Sequence, residues 1–79
     1  MQKSSPLPLS QLKAQQRAMV SELRTQDEAL IRHLVAMGIR EGCTIFLESK
    51  FPSYVVQVHR GRAAFDRKTA DCIWVIPIP

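Results

Sequence analysis

The stretch from Thr25 to Gly42 is the part of this chain in which helical periodicity carries both a start and a stop. Thr25-Gln26-Asp27-Glu28 has the form of a capping box, in which the Thr25 hydroxyl serves the third helical amide and Glu28 reaches back. Two acids in the first turn suit the positive end of the helix dipole. Leu30, Ile31, Leu34, Val35 and Met37 then recur as one apolar stripe, with Glu28 and Arg32 paired on the opposite side. Gly38 stops the helix by accepting a left-handed backbone, and Ile39 folds back on Leu34. One short helix is therefore fixed, and no other segment repeats its period.

Elsewhere the period is two. Arg17 to Leu23 reads as a strand with Ala18 and Val20 on one face and Met19 and Ser21 on the other. Ile45 and Leu47 alternate with Thr44, Phe46 and Glu48, giving a second strand that Pro52-Ser53 breaks. Tyr54 to His59 forms a third, with Val56 and Val58 opposed to Val55 and Gln57. Arg60-Gly61 supplies a tight turn, and Arg62 to Asp66 returns as a fourth. Lys68 to Asp71 makes one helical turn. Cys72 to Ile76 is a fifth strand in which Ile73 and Val75 share a face, and Pro77 and Pro79 end it as on an edge. Residues 1–8, with two prolines, read as a flexible or extended lead. Ser10 caps a short turn that drops Leu9 and Leu12 onto the body.

A chain of 79 residues has room for one domain. That length excludes large enzyme architectures such as doubly wound sheets and (β/α)8 barrels. The expected fold is mainly β with one short α-helix: a small five-stranded barrel of the SH3-like or OB-like kind spanning residues 9–79. The helix plugs one end of it.

Charge is unevenly spread along the chain. The net value is +4, yet residues 1–49 carry six basic and five acidic side chains. Residues 50–68 carry Lys50, Arg60, Arg62, Arg67 and Lys68 against Asp66 alone. An excess of this kind suits an acidic protein surface, nucleic acid or anionic lipid. Arg60 and Arg62 offer forked donors to carboxylate or phosphate. Tyr54 and Trp74 are expected as apolar anchors of the same working surface. Trp74 and Ile76 face away from Ile73 and Val75, where they either form an exposed apolar spot or lie under the segment Leu7 to Leu12. Stacking of bases would need aromatics among the basic groups, and Phe51 and Tyr54 stand nearby, while Phe65 is expected in the core. The aromatic density falls short of a proline-peptide groove.

Motifs for chemistry are sparse. The three glycines sit at turns and form no phosphate loop. His33 and His59 have no recognisable nucleophile partner, so no catalytic residue is assigned and the chain is read as a non-enzyme. His33, Cys43, His59 and Cys72 show no ligand spacing, so neither a metal site nor a cofactor is assigned. Cys43 and Cys72 are too distant in sequence for a CxxC motif and are read as a reduced pair. No apolar run approaches the ~20 residues of a membrane span, and no secretion signal is visible, so the cytoplasm is the expected address.

The order of these elements resembles the FeoA family. Leu9-Ser10-Gln11-Leu12 opens the pattern and Ala18-Met19-Val20 follows. The helix then ends Leu-x-x-Met-Gly-Ile-x-x-Gly over Leu34 to Gly42, and Ala70, Ile73 and Val75 close the run. Two departures stand out: Ala14-Gln15-Gln16 occupies a turn where the family usually has glycine, and the loop Lys50-Phe51-Pro52-Ser53 is short. The resemblance implies an SH3-like cytoplasmic accessory of bacterial ferrous-iron uptake that contacts the FeoB-type membrane permease through its cytoplasmic GTPase part. Transition-metal handling is implied by the resemblance alone. Similar domains also end metal-dependent transcriptional repressors. A small basic barrel that binds nucleic acid and a stand-alone metal-responsive domain are the alternative readings.

Overall fold

A computed structural model describes residues 5–79. The chain runs through β1 (Leu7–Pro8), a 3-10 turn (Leu9–Gln11), β2 (Gln16–Leu23), α1 (Glu28–Ala36), β3 (Thr44–Ser49), β4 (Tyr54–Val58), β5 (Gly61–Phe65), α2 (Arg67–Ala70) and β6 (Ile73–Ile78). The strands form one antiparallel sheet in the order β1-β6-β2-β3-β4-β5. Register shifts between Val20 and Glu22 on β2, and between Leu47 and Ser49 on β3, mark irregularities of the kind that bend and twist a strand. The sheet curves round a core without closing, because β1 and β5 end the order unpaired with each other.

The expected barrel of five strands is thus corrected to an open sheet of six. The sixth comes from the lead. Leu7 pairs with Val75 and Pro8 with Trp74, so the sheet captures residues expected to be flexible or extended. Residues 1–4 of that lead lie outside the described residues. Pro8 tolerates the position because β1 is an edge strand that owes no donor on its open side. β6 is no edge, since it lies between β1 and β2 and continues through Pro77, opposite Ala18, to Ile78. β1 covers Trp74 and Val75 alone, so the stretch holding Pro77 has a neighbour on one side.

Period-two burial fills the core. Ala18 and Val20 from β2, Ile45 and Leu47 from β3, Val56 from β4, Ala63 from β5, and Ile73 and Val75 from β6 all turn inward. Leu9 and Leu12 descend from the 3-10 turn, and Leu34 and Ile39 come from the end of α1. Ser10 does not cap its turn. Its hydroxyl donates instead to Asp71 at the end of α2.

The helix starts later than a capping box requires. Asp27 is the N-cap, its Oδ1 accepting from the Leu30 amide at 3.2 Å, while Thr25 Oγ1 accepts from the Asp27 amide at 3.1 Å. Both residue types cap well, and the aspartate two residues further on prevails, which makes Glu28 the first helical residue rather than the third. Among the described residues the ion pairs are Arg24 with Glu22 and Arg62 with Glu48, so Glu28 and Arg32 stay unpaired. The helix stop follows the sequence closely. Gly38 sits at φ +93°, its amide donates to Val35 O at 2.9 Å, and the Ile39 amide donates to Leu34 O at 2.9 Å. These two bonds are a Schellman motif, with both of its apolar members buried.

Asp66 caps α2 by accepting from the Thr69 amide at 2.9 Å. The Thr69 amide and hydroxyl hold its carboxyl below the usual aspartate range, with Lys68 adding to the effect. Gln15 supplies the left-handed residue before β2, at φ +68°, where the resemblance calls for glycine. Its amide donates to Leu47 O at 2.6 Å and its Nε2 to Glu48 O at 2.8 Å. These bonds offset the steric cost of a side chain in that conformation.

Candidate functional site

Two pieces of the chain meet to form a cleft. The first is the end of α1 with the loop behind it. Once Gly38 has turned the backbone and Ile39 is buried, Arg40 is thrown out to solvent. The Arg40 amide donates to Cys43 Sγ at 3.4 Å and the Cys43 amide to Arg40 O at 3.1 Å, closing the turn. Two bonds of 2.8 Å, Gly42 amide to Val20 O and Val20 amide to Cys43 O, fasten that turn to β2. The second piece is the β4–β5 hairpin. Val58 pairs with Gly61, which leaves His59 and Arg60 as its two-residue tip. A Cβ built on Gly38 would lie 3.6 Å from Val58 Cγ2, so the helix end and the base of the hairpin stand side by side.

Between them opens a cavity of about 370 Å³ lined by Val35, Ala36, Gly38, Arg40, Cys43, His59 and Arg60. Arg40 and Arg60 are exposed, and neither guanidinium makes an ion pair among the described residues. A second, shallower groove continues from the first. It shares Val35 and Arg40 and adds Leu23, Ile31 and Glu41. Ile31 and Val35, expected in the buried stripe of α1, are its floor. The helix buries Leu34 completely and leaves Val35 41% exposed.

Of the expected surface residues, Arg60 alone lines this cleft. Arg62 lies on the outer face of the sheet, its Nε 2.7 Å from Glu48 Oε2 on β3. Tyr54 is 7% exposed and packs in the core. The expectation that it anchors a partner is corrected by the alternation of β4, which puts Tyr54 on the face of Val56. Trp74 is half-buried, opposite Pro8 on β1 and Glu22 on β2, with the Arg24 guanidinium 3.7 Å from its ring centroid. Such stacking of a cation on an indole holds the ring under a polar cover.

The basic run 50–68 also comes apart in space. Lys50 precedes β4, and Arg67 and Lys68 follow β5, so they belong to the end where Tyr54 pairs with Phe65. Arg60 is at the other end, where its companion is Arg40, a residue that charge counting along the chain passed over. Cys43 and His59 face the same cavity as these arginines, while Cys72 stands elsewhere, its Sγ donating to Lys68 O at 3.6 Å. Both thiols are free. Among the described residues no three His, Cys, Asp or Glu side chains gather as a metal-ion cluster.

The fold has clear relatives. A structure described as iron uptake regulatory protein (FeoA) superposes with a TM-score of 0.84 at 22% identity, covering 94% of this chain and 99% of the other. The FeoA protein from Chlorobium tepidum gives 0.82 at 24% identity over 92% of this chain and 71% of the other. A manganese-dependent transcriptional repressor gives 0.88 at 14% identity, and there this chain spans 96% of itself but 43% of the repressor. Among curated protein sequences none matches. The FeoA domain model matches residues 7–77, from β1 almost to the end of β6. This chain belongs to the FeoA domain family.

Proposed function

We infer that this protein is a cytoplasmic accessory of ferrous-iron uptake that works by contact with the FeoB-type permease and its GTPase part, without catalysis of its own. The observation that carries the reading is the match of a FeoA domain over residues 7–77. The near-complete mutual coverage with an iron uptake regulatory protein supports it. No helix of the described residues is long and apolar enough to cross a membrane.

At the end of the sheet that carries Arg40 and Arg60, the distribution of aromatics favours a protein partner over nucleic acid. Base stacking needs open rings beside cations. Tyr54 is buried, Trp74 lies under Arg24, and Phe51, at 87% exposure, precedes β4 while Arg60 follows it. The five residues of β4 set the two apart by roughly 16 Å at the rise of an extended strand. Radiolabelled ferrous-iron uptake tests the function. Cells of the source organism lacking the protein are expected to take up less iron, and the wild-type chain to restore uptake. Unchanged uptake in such cells contradicts the reading.

A further inference from the structure

We propose that the cleft between α1 and the β4–β5 tip, with the groove that continues it, binds a short acidic segment of a protein partner led by one aliphatic side chain. The proposal rests on the reading that the protein acts by protein contact, and it assigns that contact a place and a chemistry. Charge and shape carry it together. Arg40, in the loop behind α1, and Arg60, on the β4–β5 tip beside His59, hold two unpaired guanidinium groups on one 370 Å³ cavity. Forked guanidinium donors match carboxylates and form the stronger class of hydrogen bond.

The adjoining groove selects among anions. Leu23, Ile31 and Val35 give it an apolar floor, and Val35 and Arg40 belong to both depressions. A free phosphate would fill the basic end and leave the apolar end in water. A segment with an aliphatic residue followed by carboxylates fills both, the side chain on Ile31 and Val35 and the acids at Arg40 and Arg60. Glu41 at the rim of the apolar groove repels an acid placed there, which sets the direction of the segment.

The test is a titration of the isotope-labelled full chain, followed by amide chemical shifts. The probes are blocked peptides carrying one leucine and a run of glutamates, with the leucine moved along the run. Saturable shifts at Val35, Arg40, His59 and Arg60 are expected for at least one of them. Affinity is expected to fall about tenfold in the double variant Arg40→Gln with Arg60→Gln, the loss of one charge-assisted contact or more. Both side chains are exposed and unpaired, so the variant keeps the wild-type spectrum elsewhere. Replacing the leucine by serine, or the glutamates by glutamines, weakens binding in the same way. The proposal is overturned if no peptide gives saturable shifts at these amides or if the double variant binds as the wild type does. Equal shifts with inorganic phosphate and with the serine peptide overturn it too, in favour of a plain anion site. Stronger shifts there with single-stranded oligonucleotide do so in favour of nucleic acid. Because the permease is not in the tube, failure here leaves the uptake reading standing, and success here does not establish it.

Discussion

Gly38→Val is expected to destabilise the protein by about 2 to 3 kcal/mol, chiefly through backbone strain. At φ +93° a side chain crowds its own carbonyl, and a β-branched one does so most. Space is not the issue for the first atom, since a Cβ would sit at ordinary contact distance from Val58 Cγ2. A β-branched side chain is the more strained at this φ, so the valine costs more than Gly38→Ala. For a domain of this size the loss lowers Tm by roughly 10 to 20 °C. Thermal melting followed by circular dichroism measures it, with Gly38→Asn as a milder companion because asparagine tolerates the left-handed region. An unchanged Tm for the valine variant would show that the helix stop bears no strain.

Leu34→Ala tests the other half of the same device. Leu34 is the residue of α1 that is fully buried, and its carbonyl receives the Ile39 amide. Removing its side chain leaves a cavity between the helix and the sheet, at a cost of about 3 kcal/mol. Urea unfolding should show a lower midpoint with an unchanged slope, the mark of lost stability without a change in denatured-state compactness. A loss below about 1 kcal/mol would mean that the helix collapses onto the sheet without it. The consequence reaches the cleft, because Val35, Ala36 and Arg40 are positioned by the helix end that Leu34 and Gly38 hold.

Local signals read well from the sequence when chemistry allows one answer. Gly38 and Ile39 end the helix as their residue types demand, and the alternation of β2, β3 and β6 places Ala18, Val20, Ile45, Leu47, Ile73 and Val75 inside. Where two answers are chemically close, neighbours decide. Thr25 and Asp27 both cap helices, and which one does so depends on where the chain leaves β2. Leu7-Pro8 has no strand pattern of its own and becomes a strand because β6 offers it an edge.

The site was less legible for a related reason. Arg60 and Arg62 are neighbours in sequence but point to different places, one to the cleft and one to Glu48. Arg40 and Arg60 are twenty positions apart and meet because Gly38 packs against Val58. Tyr54 follows from periodicity alone: its spacing of two from Val56 puts it inside, and its ring fits the core better than a rim. Pairings that depend on the closure of distant loops leave no periodic trace in the sequence.

The central claim is contact with a ferrous-iron permease, and capture from native membranes tests it most directly. The tagged chain is mixed with detergent-solubilised membranes of the source organism, and the retained proteins are identified by mass spectrometry. Retention of a ferrous-iron permease carrying a GTPase domain is the predicted result, with only a modest loss as salt is raised, because an apolar contact is part of the interface. Absence of the permease, with nucleic acid retained in a way that collapses steeply with salt, would contradict the account.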